Sequence, residues 1–220
     1  MPHGRRSDRV NQRDLALLAF IARYGTVPRE AARLYSGAGR SVHLARERRL
    51  RLAGLLTVRP GFEDGSRLLI ATHAGRRACG RPELSAARPS PATLRHEITL
   101  ARFGAQHELA GERILSEREI AAAERAEGRR IYSAELGRGR FHRADLIRLA
   151  PGGPEAIEVE LTTKAASRLD AILRAWRFAV AEGRLAKVTY HCGPRTRRFL
   201  EAAVARTATG AAIEVHDLQT

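Results

Sequence analysis

The chain has 220 residues, 44% of them hydrophobic, and carries a formal net charge of +15 at pH 7 with a pI near 11.3. That length and apolar content support a buried core in one large domain or two small ones. No apolar run reaches the roughly 18–20 residues of a bilayer span, and the N-terminal MPHGRRSDRVNQRD holds no secretory apolar segment, so a membrane protein is excluded and the chain reads as cytoplasmic.

The charge is unevenly spread. Residues 1–90 hold 18 Arg against 7 acidic residues, and the remainder holds 21 Arg or Lys against 17. Such a surface usually partners a polyanion, and phosphate contacts dominate nucleic-acid affinity, which points to the first part as the phosphate-contacting one. A GC-rich coding sequence also enriches Arg and Ala, so the distribution weighs more than the total. Cys79 and Cys192 lie far apart without CxxC or Cys/His spacing, so neither a disulfide framework nor a structural zinc is indicated and each reads as a buried thiol.

In chain order, NQRDLALLAFIARYG (11–25) sets Leu15, Leu18, Ile21 and Ala22 at helical spacing and stops at Gly25. A short helix follows in TVPREAARLYSG, with an early Pro28 and a stop at Gly37. The third helix, GRSVHLARERRLRLAGLL, is dense in Arg and stops at Gly54. LLTVRP, the turn GFEDGS and RLLIATHAG then read as two strands and their connection. The stretch RPELSAARPSPATLR (81–95) holds three prolines among small residues and coincides with the charge shift, so a linker is placed there.

Beyond it, ATLRHEITLARFGAQHELAG reads as a helix, RILSE as a strand and EREIAAAERAEG as a polar helix. RADLIRL and EAIEVEL flank the turn APGGP and form an antiparallel pair. A helix from Ala165 to Glu182, the strand LAKVTYHC, the helix RTRRFLEAAVART and the strand AAIEVHDL complete a mixed sheet with flanking helices. Trp176 and Phe178 read as core rather than base-stacking residues. Arg195, Arg197 and Arg198 stand at a helix start, where either an anion or plain solvent fits.

The acidic residues of the hairpin carry the chemistry. Side chains alternate along a strand, so Glu158 and Glu160 share one face. With the turn centred on Gly152 and Gly153, Asp145 falls opposite Glu160 and diagonal to Glu158. Converging carboxylates raise one another's pKa, and a divalent cation offsets that cost. Mg²⁺ suits one or two carboxylates plus water and phosphate oxygens, and it serves phosphodiester hydrolysis. Lys164 is one of two lysines in a chain that otherwise uses Arg, which points to a compact ammonium beside a phosphate. An exposed edge strand with a surface lysine accounts for the same residues.

The pattern D-x(12)-E-x-E-L-T-x-K resembles the core of the PD-(D/E)XK nuclease superfamily. The three helices with their hairpin, over about residues 10–80, resemble a bacterial winged helix-turn-helix. Together with LRHEITLARF and RADLIRL…EAIEVELTTKA, they resemble the replication-relaxation family of actinobacterial plasmids and integrated elements. The resemblance implies an α+β chain: an N-terminal winged helix-turn-helix (1–80), a linker (81–92), and an α/β PD-(D/E)XK nuclease-like domain with a mixed sheet (93–220). It implies Asp145 and Glu158 as ligands of Mg²⁺, for which Mn²⁺ would substitute, and a catalytic set of Asp145, Glu158, Glu160 and Lys164. The superfamily's lysine two residues after the Glu is here Glu160, and Lys164 as its replacement is our conjecture. Glu97 matches the acidic residue that the first helix of the superfamily often contributes, and His96 beside it resembles the His that recurs at this place in the replication-relaxation family; both are accessory candidates. In the winged helix, Arg40, Ser41, His43 and Arg46 become base- or phosphate-contacting residues, and Arg59 and Arg67 wing contacts.

Three functions fit these residues. The first is a double-stranded-DNA-binding protein of a plasmid or mobile element, acting in replication or transfer as a Mg-dependent endonuclease that nicks or cleaves. The second is a non-catalytic regulator whose nuclease-like domain forms a homodimer or holds a replication or transfer protein. The third is an RNA binder.

Overall fold

The computed structural model describes residues 9–61 and 66–218 and divides into two compact units, 1–111 and 112–220. The chain is α+β with a mixed sheet. The tip of the expected hairpin turn, residues 62–65, lies outside the described residues.

In the first unit, α1 (Gln12–Tyr24) starts on a capping box. Asn11 accepts from the backbone N–H groups of Arg13 and Asp14, and Asp14 accepts in return from Asn11 N–H at 3.0 Å. Gly25, at φ +80°, ends the helix. A two-residue strand β1 (Val27–Pro28) leads into α2 (Arg29–Ser36), and α3 spans Arg40–Leu52. β2 (Leu56–Pro60) and β3 (Arg67–Ala71) pair antiparallel, and β1 joins the other edge of β3. Thr72 caps a short α4 (His73–Ala78) that sequence periodicity did not separate. The interior is built on Leu17, Leu18, Phe20, Ile21, Leu50, Leu68 and Leu69, all essentially inaccessible.

Helix α5 (Pro91–Leu109), capped by Ser90, belongs to this first unit and not to the second, where the sequence placed it. Gly104 lies against Tyr24 so tightly that an added Cβ would sit 1.9 Å from the phenol oxygen. Tyr24 donates to Glu108 at 3.0 Å, and Arg23 pairs with the same carboxylate at 2.7 Å. The expected linker is irregular chain, yet it plants Leu84 in the interior at 2% exposure.

The second unit opens with β4 (Ile114–Ser116) and α6 (Glu117–Glu127), the latter started by a Ser116/Glu119 capping box. A separate hairpin, β5 (Ser133–Gly137) and β6 (Arg140–Arg143), was not anticipated. Then come β7 (Leu146–Ala150), β8 (Gly153–Glu160), α7 (Ala166–Ala181), β9 (Lys187–Cys192), α8 (Pro194–Thr207) and β10 (Ile213–Asp217). The five-stranded sheet runs β10-β9-β8-β7-β4, antiparallel from β4 to β8 and parallel from β8 to β10. α7 and α8 are the crossovers that parallel pairing requires. Trp176, Leu173, Ile172 and Leu200 from these helices pack on Ile147, Ala156, Val188, Tyr190 and Ile213. Phe178, expected in the core, is instead 61% exposed on α7. Among the described residues no helix is long and apolar enough to cross a membrane.

Candidate functional site

Strand β8 is where the sheet changes from antiparallel to parallel, and its C-terminal end carries Glu158 and Glu160. The β7–β8 hairpin turns at Pro151–Gly152, so Ala150 faces Gly153 and Leu146 faces Ile157. Continued by one residue, that register sets Asp145 level with Glu158. The sequence had set it opposite Glu160, because the corner was taken one residue too far along. The shift is two residues in the pairing, so parity is kept and the two carboxylates stay on one sheet face. It is the face that α7 covers, and Glu158 stands beside Tyr190 of β9, with Glu160 beside Cys192.

Each acid has a partner within the unit. Asp145 sits in a bend just before β7 and accepts from Val159 N–H at 2.8 Å, standing in for a strand acceptor. Glu158 is 3% exposed, and its Oε2 lies 3.0 Å from His142 Nε2. Its Oε1 is buried with no hydrogen-bond partner. Glu160, 6% exposed, forms an ion pair with Lys164, which lies in the irregular chain before α7 rather than at the helix start and curls back as expected.

The electrostatics follow from this packing. Burial, reinforced by the Asp145 charge, holds the Glu158 carboxyl above its usual range against the opposing pull of His142 and Lys164. Burial works against a charged His142, but Glu158 and then Asp145 outweigh it and raise the imidazole. Tyr190 is driven far up, by burial first and then by Glu158, Glu160 and Asp145, so its phenol stays protonated. Trp176 meets His142 edge-on at 5.7 Å, and both its indole nitrogen and the Tyr190 hydroxyl are buried. Burial likewise lifts the Cys192 thiol to about 11, which makes it the inert buried thiol expected; Cys79 is only half-buried.

His142 is the member that sequence reading missed. It lies on β6, and the signal was present as GRG (137–139), a turn between two short alternating runs.

An orphaned buried carboxylate oxygen next to a second carboxylate fits a hard, oxygen-seeking cation such as Mg²⁺. Among the described residues no three His, Cys, Asp or Glu side chains form a chelating group. Two carboxylates completed by water and phosphate oxygens do not require one. His96 and Glu97 lie on α5 of the first unit, where Glu97 accepts from Thr93 Oγ1 at 2.8 Å.

The basic candidates divide into two groups. Arg40, Ser41, Arg59 and Arg67 are exposed, with the two arginines at the far ends of β2 and β3. His43 is not a surface reader. It is 1% exposed with both ring nitrogens unpartnered, and burial first, aided by Arg29, Arg46 and Arg33, lowers its pKa. Arg46 is also turned inward, at 8% exposure. The cause is helical phase: His43, Arg46, Glu47 and Leu50 form the inner stripe of α3. Of the α8 arginines, Arg197 is tied to Glu201 and Asp217 at 2.8 Å each, while Arg195 and Arg198 are exposed.

No protein-family model and no curated protein matches this chain.

Proposed function

We propose that this is a DNA-binding protein of a plasmid or other mobile element, acting in replication or transfer, with a winged helix-turn-helix in its first unit and a PD-(D/E)XK-type nuclease centre in its second. The observation that carries the reading is the pairing of Asp145 and Glu158, side by side in a buried polar cluster where the sheet changes sense. In open α/β sheets, ligands bind beyond the carboxyl ends of the parallel strands, and Glu158 and Glu160 stand at that end of β8. Three helices followed by β2 and β3, with Arg40, Arg59 and Arg67 exposed, support the DNA-binding half.

Asp145 and Glu158 would hold Mg²⁺, which when bound supplies the charge that activates a water and stabilises a leaving phosphate oxygen. The protein's own groups do the positioning. His142 shares a proton with Glu158 and fixes the orientation of that carboxylate. Lys164, tethered by Glu160, presents an ammonium four residues past the strand end, where a phosphate oxygen can replace the carboxylate as its partner. Trp176 and Tyr190 close the inner side of the pocket to water.

Supercoiled and linear duplex DNA incubated with the protein and Mg²⁺ or Mn²⁺ test this directly. Wild type nicks or cleaves, and Asp145→Asn or Glu158→Gln lowers the rate by about 10²-fold or more, the usual loss when a group acting in the transition state is removed. Cleavage that survives both substitutions rejects this centre.

A second reading has its own observation. Glu160 occupies the position of the superfamily lysine, and each acid of the cluster already has a protein partner. On that reading the protein is a non-catalytic DNA-binding regulator, and a Mn²⁺ titration finds no saturable site that Asp145→Asn abolishes.

A further inference from the structure

In the first unit a cleft of about 480 Å³ opens between α1, the α2–α3 corner and α3, and its walls include Arg13, Leu17, Tyr35, Gly39, Val42 and Arg46. Its residues include two arginines and no acid. Arg46 is 8% exposed and makes no hydrogen bond or ion pair among the described residues. Other arginines of the same unit are neutralised: Arg29 grips Glu47 with two nitrogens, Arg49 grips Asp14 likewise, and Arg23 pairs with Glu108. An arginine does not shed its proton inside a protein, and no guanidinium nitrogen of Arg46 is among the solvent-inaccessible atoms, so a packed stem presents a permanent charge to the cleft without a protein counter-charge.

A second feature points the same way. α3 starts at Gly39, which offers no side-chain cap, so the first backbone N–H groups of a 13-residue helix open at the rim of the cleft. Unpaired N–H groups and the positive end of the helix dipole attract anions. Tyr35, stacked on Phe20 at 4.2 Å, fixes one wall.

We propose that this cleft binds a phosphate-type oxyanion, with Arg46 and Arg13 as its charge partners and the N-terminus of α3 as a further donor. A tetrahedral anion offers enough oxygens to meet two guanidinium forks and a helix start together, which a single carboxylate does not. The volume is that of a small-molecule site and leaves room for a group attached to the phosphate. The phosphate comes either from a free phosphorylated compound or from a nucleic-acid backbone. The site does not depend on the nuclease reading.

Thermal melts of the full chain with pyrophosphate, at ionic strength held constant with chloride, test the site. The wild type gains roughly 2–4 °C in a saturable manner. Arg46→Met weakens the response at least about tenfold, as loss of a charge-assisted hydrogen bond predicts, and Arg13→Gln weakens it severalfold. Arg48→Met, exposed on the same helix, leaves it unchanged. In anion-free buffer Arg46→Met melts no lower than wild type, because Met keeps the packed stem and the guanidinium has no protein partner to lose.

The proposal is overturned if pyrophosphate gives no saturable rise beyond chloride. It is equally overturned if Arg46→Met melts lower in anion-free buffer and keeps the full response. Anisotropy of a labelled duplex with saturating pyrophosphate then identifies the source: release of DNA assigns the site to a backbone phosphate, and undiminished binding assigns it to a free phosphorylated compound.

Discussion

Two buried glutamates of the second unit, Glu124 on α6 and Glu158 on β8, are exposed by only 2% and 3% and yet are treated in opposite ways. Glu124 accepts from Ser133 Oγ at 2.7 Å, from Tyr132 N–H at 3.2 Å, and from Arg130 and Arg143. Burial resists its ionisation, but these donors prevail and its pKa falls. Glu158 has one imidazole, a neighbouring Asp145 and an oxygen with no hydrogen-bond partner, and its pKa rises. A carboxylate kept for structure is surrounded by donors at both oxygens. Glu158 lacks a donor at one oxygen, and on the proposed reading that oxygen is where the cation would bind.

The largest expected effect tests the satisfied side of this contrast. Glu124→Leu strands the Ser133 hydroxyl and the Tyr132 N–H and breaks the link between α6 and the β5–β6 hairpin. A loss of about 3–5 kcal/mol is expected in urea unfolding, the range for removing one partner of a buried charged network. A loss under about 1 kcal/mol would show the network to be decorative. Glu158→Gln is expected to behave differently in the same melts. It keeps the shape, can still hydrogen-bond His142, and removes a charge that Asp145 opposes, so in EDTA the stability holds or rises by about 1 kcal/mol. If it instead falls as far as Glu124→Leu, then Glu158 is a structural acid and the proposed nuclease centre loses its motive.

These two acids also separate what sequence can and cannot disclose. The α1 boundaries were legible because Asn11 and Gly25 act within a turn of themselves, and the β7–β8 hairpin because Pro and Gly concentrate at its corner. That Glu158 and Glu160 share a face followed from alternation alone. The pairing register did not, since one residue of uncertainty at Pro151–Gly152–Gly153 moves Asp145 by two partners. His142 was hidden because β5 and β6 are only five and four residues long, so the GRG turn between them is the one local signal of the hairpin. The inward turn of His43, Arg46 and Glu47 was hidden for a related reason: polar residues occupy the stripe of α3 that faces the core, so composition reads as surface where helical phase says interior. Membership of α5 depended on long-range partners, Gly104 with Tyr24 and Glu108 with Arg23, which no local pattern encodes.

The smallest expected effect is also the most discriminating, because the two glutamates predict slopes of opposite sign with pH. Glu124 has a depressed pKa, so its contribution is present above the unfolded value and disappears as pH falls through the folded one. Glu158 and His142 are both raised, so their native forms hold protons more tightly than the unfolded chain does. Their contribution is present in acid, Glu158's below its unfolded value and His142's below its own, and it is lost as pH rises through the folded values. In EDTA the urea midpoint should therefore decline gently from about pH 5 to about pH 8, on the order of 1 kcal/mol in total for the coupled pair. Glu158→Gln flattens that decline and leaves the acid limb below about pH 4.5, to which Glu124 contributes, in place. A wild-type curve that climbs from pH 5 to 8 and is untouched by Glu158→Gln would mean that His142 and Glu158 form an ordinary compensated pair. The pocket would then have no spare capacity for a cation.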